Sequence, residues 1–368
     1  MRKHWIDNLR WVTVLLVLLY HVIYFFNNKG VFGGIGGWGD GPQYQDVVMY
    51  ILYPWFMPIL FVLAGISARY ALEKQKAGEW FKARTRKLLV PGTIGLFVLQ
   101  WMTGYFNTLV AGQGEMLASA PGPGKYIMCA LSGTGPLWFI QVLWLLCLVL
   151  LLIRAIDRND KLYDWCGKAN IVWIILLGIL FWAGEQTLVK NPRPETLDGL
   201  LNLYKPLFYL VPFLLGYFVF SHDAVQYKVS KVWIPLMACA VISGGILIGT
   251  TFGQDNTTPQ YLGSPLNCLY GWLMCLGMMG WFKAKFDRTG PFAQYMTRSS
   301  FGIYIIHYLV VASLGYMMKM HTQLPPVAIY VILTIAVFTL SPLLYEILHR
   351  IPFIRWCVFG ERKNSKKA

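Results

Sequence analysis

Ten apolar stretches, each long enough to cross a lipid bilayer, dominate this chain and limit the folds that are open to it. The chain has 368 residues, of which 56% are hydrophobic and only 13% are charged. Its mean hydropathy is +0.49, which is typical of a polytopic membrane protein. The stretches lie at approximately 9–26, 47–70, 88–111, 137–156, 170–188, 205–220, 232–252, 265–283, 299–318 and 325–348. We therefore predict an all-α membrane helix bundle with about ten transmembrane helices.

The basic residues are distributed unequally over the two sets of loops that these spans define. All but six of the 32 Lys and Arg residues belong to one set, which includes both termini. The six exceptions are Lys29, Lys125, Lys190, Arg193, Lys205 and Lys319. By the positive-inside rule, both termini are cytoplasmic. Topology thus explains the net charge of +15, and we do not expect a nucleic-acid partner.

The first span, Ile6 to Tyr24, carries three ionisable side chains on one stripe. At about 100° per residue, Arg10 and His21 lie within about 20° of the same face, and Asp7 lies within about 60° of both. Ionisable groups inside hydrocarbon cost roughly 2.5–3.5 kcal/mol each for Arg or Asp at a helix centre. Asp7 and Arg10 can instead reach the interface as an anchor, whereas His21 is expected to face a polar, protein-lined cavity.

The segment after the second span is the densest basic patch in the chain. Its members are Arg69, Lys74, Lys76, Lys82, Arg84, Arg86 and Lys87. Ordinary positive-inside charge is one explanation. The other is a cytoplasmic anion site, because clustered Arg and Lys suit the phosphates of a nucleotide-like cofactor. The seven Cys residues contain no CxxC pair, and we predict no metal.

Several short motifs follow one another along the chain in the order seen in a known family. Asp7 and Arg10 form a D-x-x-R opening, Arg10 and His21 form an R-x10-H motif, and PILFVLAG at 58–65 is a small-residue stretch of the second span. The later motifs are RTRKLLVP at 84–91, PLWFI at 136–140, SSFGIYIIH at 299–307 and YEILHRIPFIR at 345–355. Together they resemble the motifs of the membrane-bound acyltransferase 3 family. Pro136 and Trp11 depart from the usual residues at their positions.

The resemblance implies transfer of an acyl group, most often acetyl, from cytoplasmic acetyl-CoA or another acyl-CoA to a hydroxyl of an extracytoplasmic carbohydrate. It also implies a multi-pass protein of a bacterial inner membrane, with an acyltransferase domain at 1–350 and a basic cytoplasmic tail at 351–368. Because the unperturbed pKa of His suits proton removal near neutral pH, His21 is the expected general base. An acyl-histidine intermediate is the alternative. Asp7 and Arg10 are counted with His21 as catalytic candidates. Arg10 lies about 16 Å from His21 along the helix, so it is expected to meet the cofactor or Asp7 rather than His21.

The remaining candidate residues receive roles within this scheme. Arg69, Arg84, Arg86 and Lys87 are expected to hold the CoA phosphates. Ser300, Tyr304 and His307 share one side of a helix and either line an acyl pore or bond neighbouring helices. Trp138 is a candidate cofactor contact or a packing residue. Glu185 is a candidate acceptor contact, and Glu346 is either a pore residue or a partner for Arg350.

A transporter or flippase is the alternative function, since it also uses buried Arg, His and Glu residues. Related halves, which are frequent in transporters, are not evident in the sequence. The transporter hypothesis also leaves the dense basic patch unexplained. Consumption of a thioester discriminates the two functions. The sequence does not identify the acceptor, and it does not separate acetyl from succinyl or other acyl donors.

Overall fold

The computed structural model describes residues 3–28, 34–39, 41–157 and 159–362. Within these residues the regular elements are all helices, so the predicted all-α fold is confirmed. In chain order they are α1 (His4–Tyr24), α2 (Val47–Leu72), α3 (Ala77–Val110), α4 (Gly114–Ser119), α5 (Gly122–Ser132), α6 (Trp138–Ile156), α7 (Lys161–Cys166), α8 (Ile171–Leu176), α9 (Gly178–Glu185), α10 (Leu197–Tyr204), α11 (Pro206–Phe218), α12 (Asp223–Lys231), α13 (Trp233–Thr251), α14 (Pro259–Leu262), α15 (Pro265–Lys285), α16 (Pro291–His321), α17 (Pro326–Leu348) and α18 (Pro352–Phe359).

Seven of the described helices are long and apolar enough to cross a membrane: α1, α2, α3, α6, α13, α16 and α17. The number rises to eight if α10 and α11, which meet at an angle of 43°, form one broken span. The predicted span 170–188 falls on α8 and α9, and the predicted span 265–283 falls on α15. None of these three helices meets the criterion. The protein is therefore multi-pass, but the count of ten is not confirmed. The cytoplasmic placement of both termini stays a prediction.

The chain forms two compact units. Unit 1 comprises Met1–Thr13, Met49–Phe81 and Leu145–Thr297, and unit 2 comprises Val14–Val48, Lys82–Trp144 and Arg298–Ala368. The predicted domain boundary at residue 350 stays a prediction. In unit 2, α18 packs against α3, and its residues Cys357 to Phe359 are fully buried. Residues 363–368 of the predicted tail lie outside the described part of the chain.

In unit 1, α2 and α11 cross with their backbones in direct contact. A side chain at Gly65 would collide with the carbonyl oxygen of Phe213, and one at Gly216 would collide with that of Val62. Small residues permit this approach between membrane helices, where van der Waals packing replaces hydrophobic driving force. The small-residue motif at 58–65 therefore has a packing function in unit 1.

In unit 2, α3 contains two wider π-helical turns, Thr85–Leu89 and Leu96–Gln100. Pro91 follows the first of these turns. Proline has no N–H, and its ring crowds the carbonyl group four residues earlier, so a local widening of the helix relieves the clash. The basic residues Arg86 and Lys87 lie in this widened turn. The local backbone of the basic motif is thus determined by the proline that ends it.

Candidate active site

The two histidines singled out in the sequence meet in unit 2. His21 comes from α1 and His307 from α16, and Nε2 of His307 lies 3.2 Å from Nδ1 of His21. The ring centroids are 5.0 Å apart, with the ring planes inclined at 58°. His307 is fully buried, whereas His21 is half-buried. The sequence indicated each histidine separately, but with a separation of 286 positions along the chain it gave no sign of their contact.

Backbone carbonyl groups determine which ring nitrogens carry protons. Nδ1 of His21 lies 2.8 Å from the carbonyl oxygen of Val17, and Nδ1 of His307 lies 2.6 Å from that of Tyr304. A carbonyl oxygen only accepts hydrogen bonds, so both Nδ1 atoms are assigned as donors. In a neutral ring the other nitrogen then has a lone pair. His307 therefore accepts a second branch of the hydrogen bond from Nδ1 of His21.

This chain of hydrogen bonds leaves Nε2 of His21 as a base. Within the described part of the chain, that atom has no hydrogen-bond partner. A neutral imidazole held by Nδ1, with its Nε2 lone pair available, is the form that accepts a proton from a reacting hydroxyl group. The arrangement therefore supports proton transfer at Nε2.

Aromatic rings hold His21 in place. The ring of Tyr308 lies 5.2 Å from the His21 ring at 72°, and the rings of Tyr20 and Tyr24 lie 5.4 Å and 6.1 Å away at 88° and 75°. Such edge-to-face contacts favour defined ring orientations. Tyr308 is itself packed against Gly135, whose φ of +38° is in the left-handed region. Steric contact therefore restricts His21 in addition to its hydrogen bonds.

The PLWFI segment supports α16 behind the histidines. The hydroxyl group of Tyr304 donates to the carbonyl oxygen of Pro136, and the ring of Phe139 lies 5.9 Å from that of Tyr304. Trp138 is half-buried and contacts the ring of Phe139. Ser300 lies buried two turns before His307 on the same helix. Tyr304 and His307 thus interact with neighbouring elements of unit 2.

The basic motif on α3 includes one neutralised cation. The ammonium group of Lys87 donates to Oε1 of Glu361 at 2.7 Å, and Oε2 of Glu361 lies 2.7 Å from Nε2 of His349. Nε of Arg86 is buried and has no acceptor among the described residues. Arg84 lies two residues before Arg86 and is half-buried. The motif retains excess positive charge, and it includes a donor that a bound anion would satisfy.

Arg69, by contrast, is fully engaged within unit 1. Its guanidinium group donates to Glu73 at 2.8 Å and to both carboxylate oxygens of Asp160 at 2.8 Å and 3.2 Å. It also stacks over the ring of Tyr163 at 3.5 Å. Hydrogen bonding to Arg69 lowers the pKa of Asp160 below its ordinary value. Because two carboxylates already balance this cation, its contacts are those of a structural ion cluster.

The other two ionisable groups of the first span form an ion pair in unit 1. Nη1 of Arg10 lies 3.0 Å from Oδ1 of Asp7, and Nη2 donates to the hydroxyl group of Ser67 at 2.8 Å. Of the two partners expected for Arg10, a cofactor or Asp7, the structure contains the contact with Asp7. This ion pair also fixes Ser67, whose hydroxyl group donates to the carbonyl oxygen of Leu63 at 2.7 Å.

Glu185 lies in a buried polar cluster of unit 1. Oε1 of Glu185 is 4.0 Å from Nζ of Lys205, and Nζ donates to the hydroxyl group of Tyr53 at 3.2 Å. Both charged residues are almost fully buried, at 4% and 6% exposure. Oε2 of Glu185 has no partner among the described residues. The cluster therefore has one spare carboxylate oxygen, an acceptor of the kind that binds hydroxyl groups.

Lys205 was missed as a site residue by the sequence reasoning. It has a left-handed conformation, with φ of +43°, at the break between α10 and α11. The sequence signal was a lone lysine directly before Pro206 inside an apolar stretch.

Glu346, the other candidate for substrate binding, lies in unit 2 at 3.9 Å from Nη2 of Arg298. That ion pair differs from the expected pairing with Arg350.

No group of three or more His, Cys, Asp or Glu side chains in the described ranges is arranged to hold a metal ion. The described cysteines are all free thiols.

Comparison with known families agrees with the motifs and with the helical membrane fold. A family model described as an acyltransferase domain, that of the acyltransferase 3 family, matches residues 3–346. Comparisons with the curated proteins and with the solved structures gave no match. The family match includes both histidines, the basic motif and the PLWFI segment. The chain belongs to the acyltransferase 3 family and is a multi-pass membrane acyltransferase.

Proposed function

We propose that the protein transfers an acyl group, acetyl in the first instance, from a cytoplasmic acyl-CoA to a hydroxyl group of an extracytoplasmic carbohydrate. The observation that carries the proposal is the histidine pair, in which Nδ1 of His21 is held as a donor and Nε2 is left as a base. Transfer from a thioester to a hydroxyl group needs such a base, since a neutral alcohol is a weak nucleophile. The bacterial inner membrane is the proposed location.

The reaction proceeds by proton transfer at one atom. Nε2 of His21 takes the proton of the acceptor hydroxyl group as its oxygen attacks the thioester carbonyl carbon. The tetrahedral intermediate collapses, its C–S bond breaks, and the proton passes from Nε2 to the departing CoA sulfur. The products are the ester and CoA, and the imidazole is neutral again. No covalent bond forms between the enzyme and the acyl group.

His307 acts through His21 as a positioning residue. When His21 is protonated, its Nδ1–H still points to two acceptors, the carbonyl oxygen of Val17 and Nε2 of His307. Hydrogen bonds to a charged donor are stronger than those to a neutral one. His307 therefore stabilises the imidazolium that forms during the reaction and keeps the ring in one orientation.

The CoA phosphates bind, in this proposal, to Arg84, Arg86 and Lys87. The excess positive charge of this motif and the unused Nε donor of Arg86 support the assignment. Arginine matches phosphate oxygens with its planar fork, and lysine adds a point charge. Arg69 is left out of the proposed site because Glu73 and Asp160 already occupy its donors.

His21→Ala is expected to lower the rate of acyl-CoA turnover about 10²- to 10⁴-fold, because the general base is lost. CoA binding should persist, since the phosphates contact other residues. Release of CoA from acetyl-CoA by the purified protein in detergent measures turnover, and calorimetric titration with CoA measures binding.

His321→Ala is the matched control, because His321 is exposed at the end of α16 and should be dispensable. Turnover by His21→Ala at the wild-type rate would refute the assignment. Radiolabelled acetyl groups that remain on the wild-type protein without acceptor would instead support an acyl-histidine intermediate.

A pair of substitutions separates positioning from packing at His307. His307→Leu preserves volume but removes the acceptor, and it should lower kcat about 10²-fold with little change in KM for acyl-CoA. His307→Gln supplies an amide oxygen near the position of Nε2 and should recover part of kcat. If both variants lose kcat equally, and the losses parallel decreases in their melting temperatures, the role of His307 is merely structural.

The double variant Arg84→Ala, Arg86→Ala is expected to raise KM for acyl-CoA more than tenfold, because each charge-assisted hydrogen bond contributes roughly 1.5–3 kcal/mol. The fall in kcat, measured at saturating acyl-CoA, should be far smaller than the rise in KM. The double variant Lys74→Ala, Lys76→Ala is the control, since both residues belong to the same basic patch but are exposed. Equal effects of the two double variants would indicate non-specific attraction by positive charge.

For the acceptor, we propose that Glu185 accepts a hydrogen bond from a hydroxyl group, because its Oε2 is buried and unpaired in the described chain. Glu185→Gln combined with Lys205→Met avoids an unpaired buried charge, and it should lower the ratio of acceptor-stimulated to acceptor-free CoA release. A panel of mono- and oligosaccharides is the source of acceptors. Glu195→Gln is the control, since Glu195 is exposed, and an unchanged ratio in the double variant would refute the assignment.

A further inference from the structure

The C-terminal helix α18 begins beyond residue 346, where the family match ends. It is nonetheless a packed part of unit 2. Cys357, Val358 and Phe359 are fully buried, and a Cβ at Gly95 of α3 would lie 3.2 Å from the carbonyl oxygen of Cys357. Helix α18 therefore packs against the helix that carries the basic motif.

The turn after α18 lies directly on that motif. Gly360 ends the helix with φ of +62°, and a side chain there would collide with the carbonyl oxygen of Arg86. Only glycine fits both the backbone conformation and the contact. The next residue, Glu361, is thereby brought to Lys87 and His349, at 2.7 Å from each.

Glu361 is a carboxylate in this position. Burial alone raises the pKa of Glu361. The charge of Lys87 and the hydrogen bonds from Lys87 and His349 together lower it by a larger amount, so the resulting pKa is below the ordinary value. At neutral pH the lysine therefore interacts with an anion supplied by the same chain. The interaction is of the kind that a phosphate group makes.

Two arginines at the same turn have donors that Glu361 does not satisfy. Nε of Arg86 and Nε of Arg355 are both buried, and neither has an acceptor among the described residues. Arg355 is adjacent to the turn, since its carbonyl oxygen accepts from the backbone N–H of Glu361 at 3.1 Å. An unsatisfied buried donor costs about 1–3 kcal/mol, and more for charged groups. Glu361 therefore pairs with Lys87, while Arg86 and Arg355 each keep a buried donor that it does not satisfy.

We propose that α18 completes and gates the site that binds a phosphate group of the acyl donor, acyl-CoA. Glu361 occupies the position on Lys87 that a phosphate group of acyl-CoA takes, and Arg355 joins Arg86 in binding that phosphate. A phosphate group brings more negative charge than a carboxylate and three acceptor oxygens, so it can satisfy the arginine donors that Glu361 leaves unused. The inference rests on the proposed function, because it takes the donor to be an acyl-CoA.

The test is calorimetric titration of the full-length protein with CoA and with adenosine 3′,5′-bisphosphate. Glu361→Gln removes the internal anion and should lower Kd for both ligands about threefold to tenfold. Arg355→Gln removes a hydrogen-bond donor to the phosphate group and should raise Kd for both ligands about tenfold. Glu115→Gln and Arg362→Gln are the controls, since each makes the same change of charge at an exposed residue.

The outcomes separate the inference from the proposed function. If the wild type consumes and binds acyl-CoA but Glu361→Gln binds CoA no more tightly, Glu361 only anchors α18 and the inference fails. If Arg355→Gln binds like Arg362→Gln, Arg355 has no part in the site. If the wild type neither binds nor consumes acyl-CoA, the proposed function itself fails.

An anionic phospholipid headgroup has the same phosphate chemistry, and a second measurement distinguishes it from CoA. The same variants are reconstituted in nanodiscs of phosphatidylcholine alone or with phosphatidylglycerol, and their melting temperatures are compared. A lipid-dependent shift that follows Glu361→Gln and Arg355→Gln, without a change in CoA affinity, would overturn the donor assignment. A change in CoA affinity that is the same in both lipids supports it.

Discussion

The contact between His21 and His307 is the interaction on which the chemistry proposed for this protein depends. Neither ring is placed by its own helix alone. Each Nδ1 atom is tied to a carbonyl group one turn earlier, and the remaining bond joins one ring to the other. Because carbonyl oxygens cannot donate, the two backbone contacts settle the position of both protons. The free lone pair at Nε2 of His21 follows from that arrangement, and general-base catalysis requires such a lone pair.

Charge neutralisation separates the structural cations from those that are available to a ligand. Arg69 and Arg10 resemble catalytic or cofactor-binding residues in the sequence, but their partners are carboxylates of the same unit. Burying a cation without a partner is costly in a membrane protein, so such pairing is expected for most of them. Arg86 and Arg355 are exceptions in the described part of unit 2, since each has a buried donor without an acceptor. Sequence alone does not distinguish these two groups, because their residue types are the same.

Much of the fold follows from hydropathy, and the discrepancies have local causes. Apolar stretches predicted the helices because a chain in hydrocarbon must satisfy its own backbone hydrogen bonds. The count of ten spans is not confirmed, since hydropathy averages over residues and does not register a backbone break. Lys205 makes such a break with a left-handed conformation, and α15 contains polar and small residues that lower its mean hydropathy. The segment predicted as a basic tail begins with α18, whose residues Cys357 to Phe359 are buried against α3.

The sequence by itself determined the membrane class, the helical fold, the family and the identity of the two histidines. These properties depend on residue type and on short spacings, which are local and can be read along the chain. The tertiary structure decided which groups meet. It joined His21 to His307, engaged Arg69 with Asp160, placed Lys205 beside Glu185 and brought Glu361 onto Lys87. Such contacts span up to 286 residues, and they arise from helix packing, which no local pattern of residues specifies.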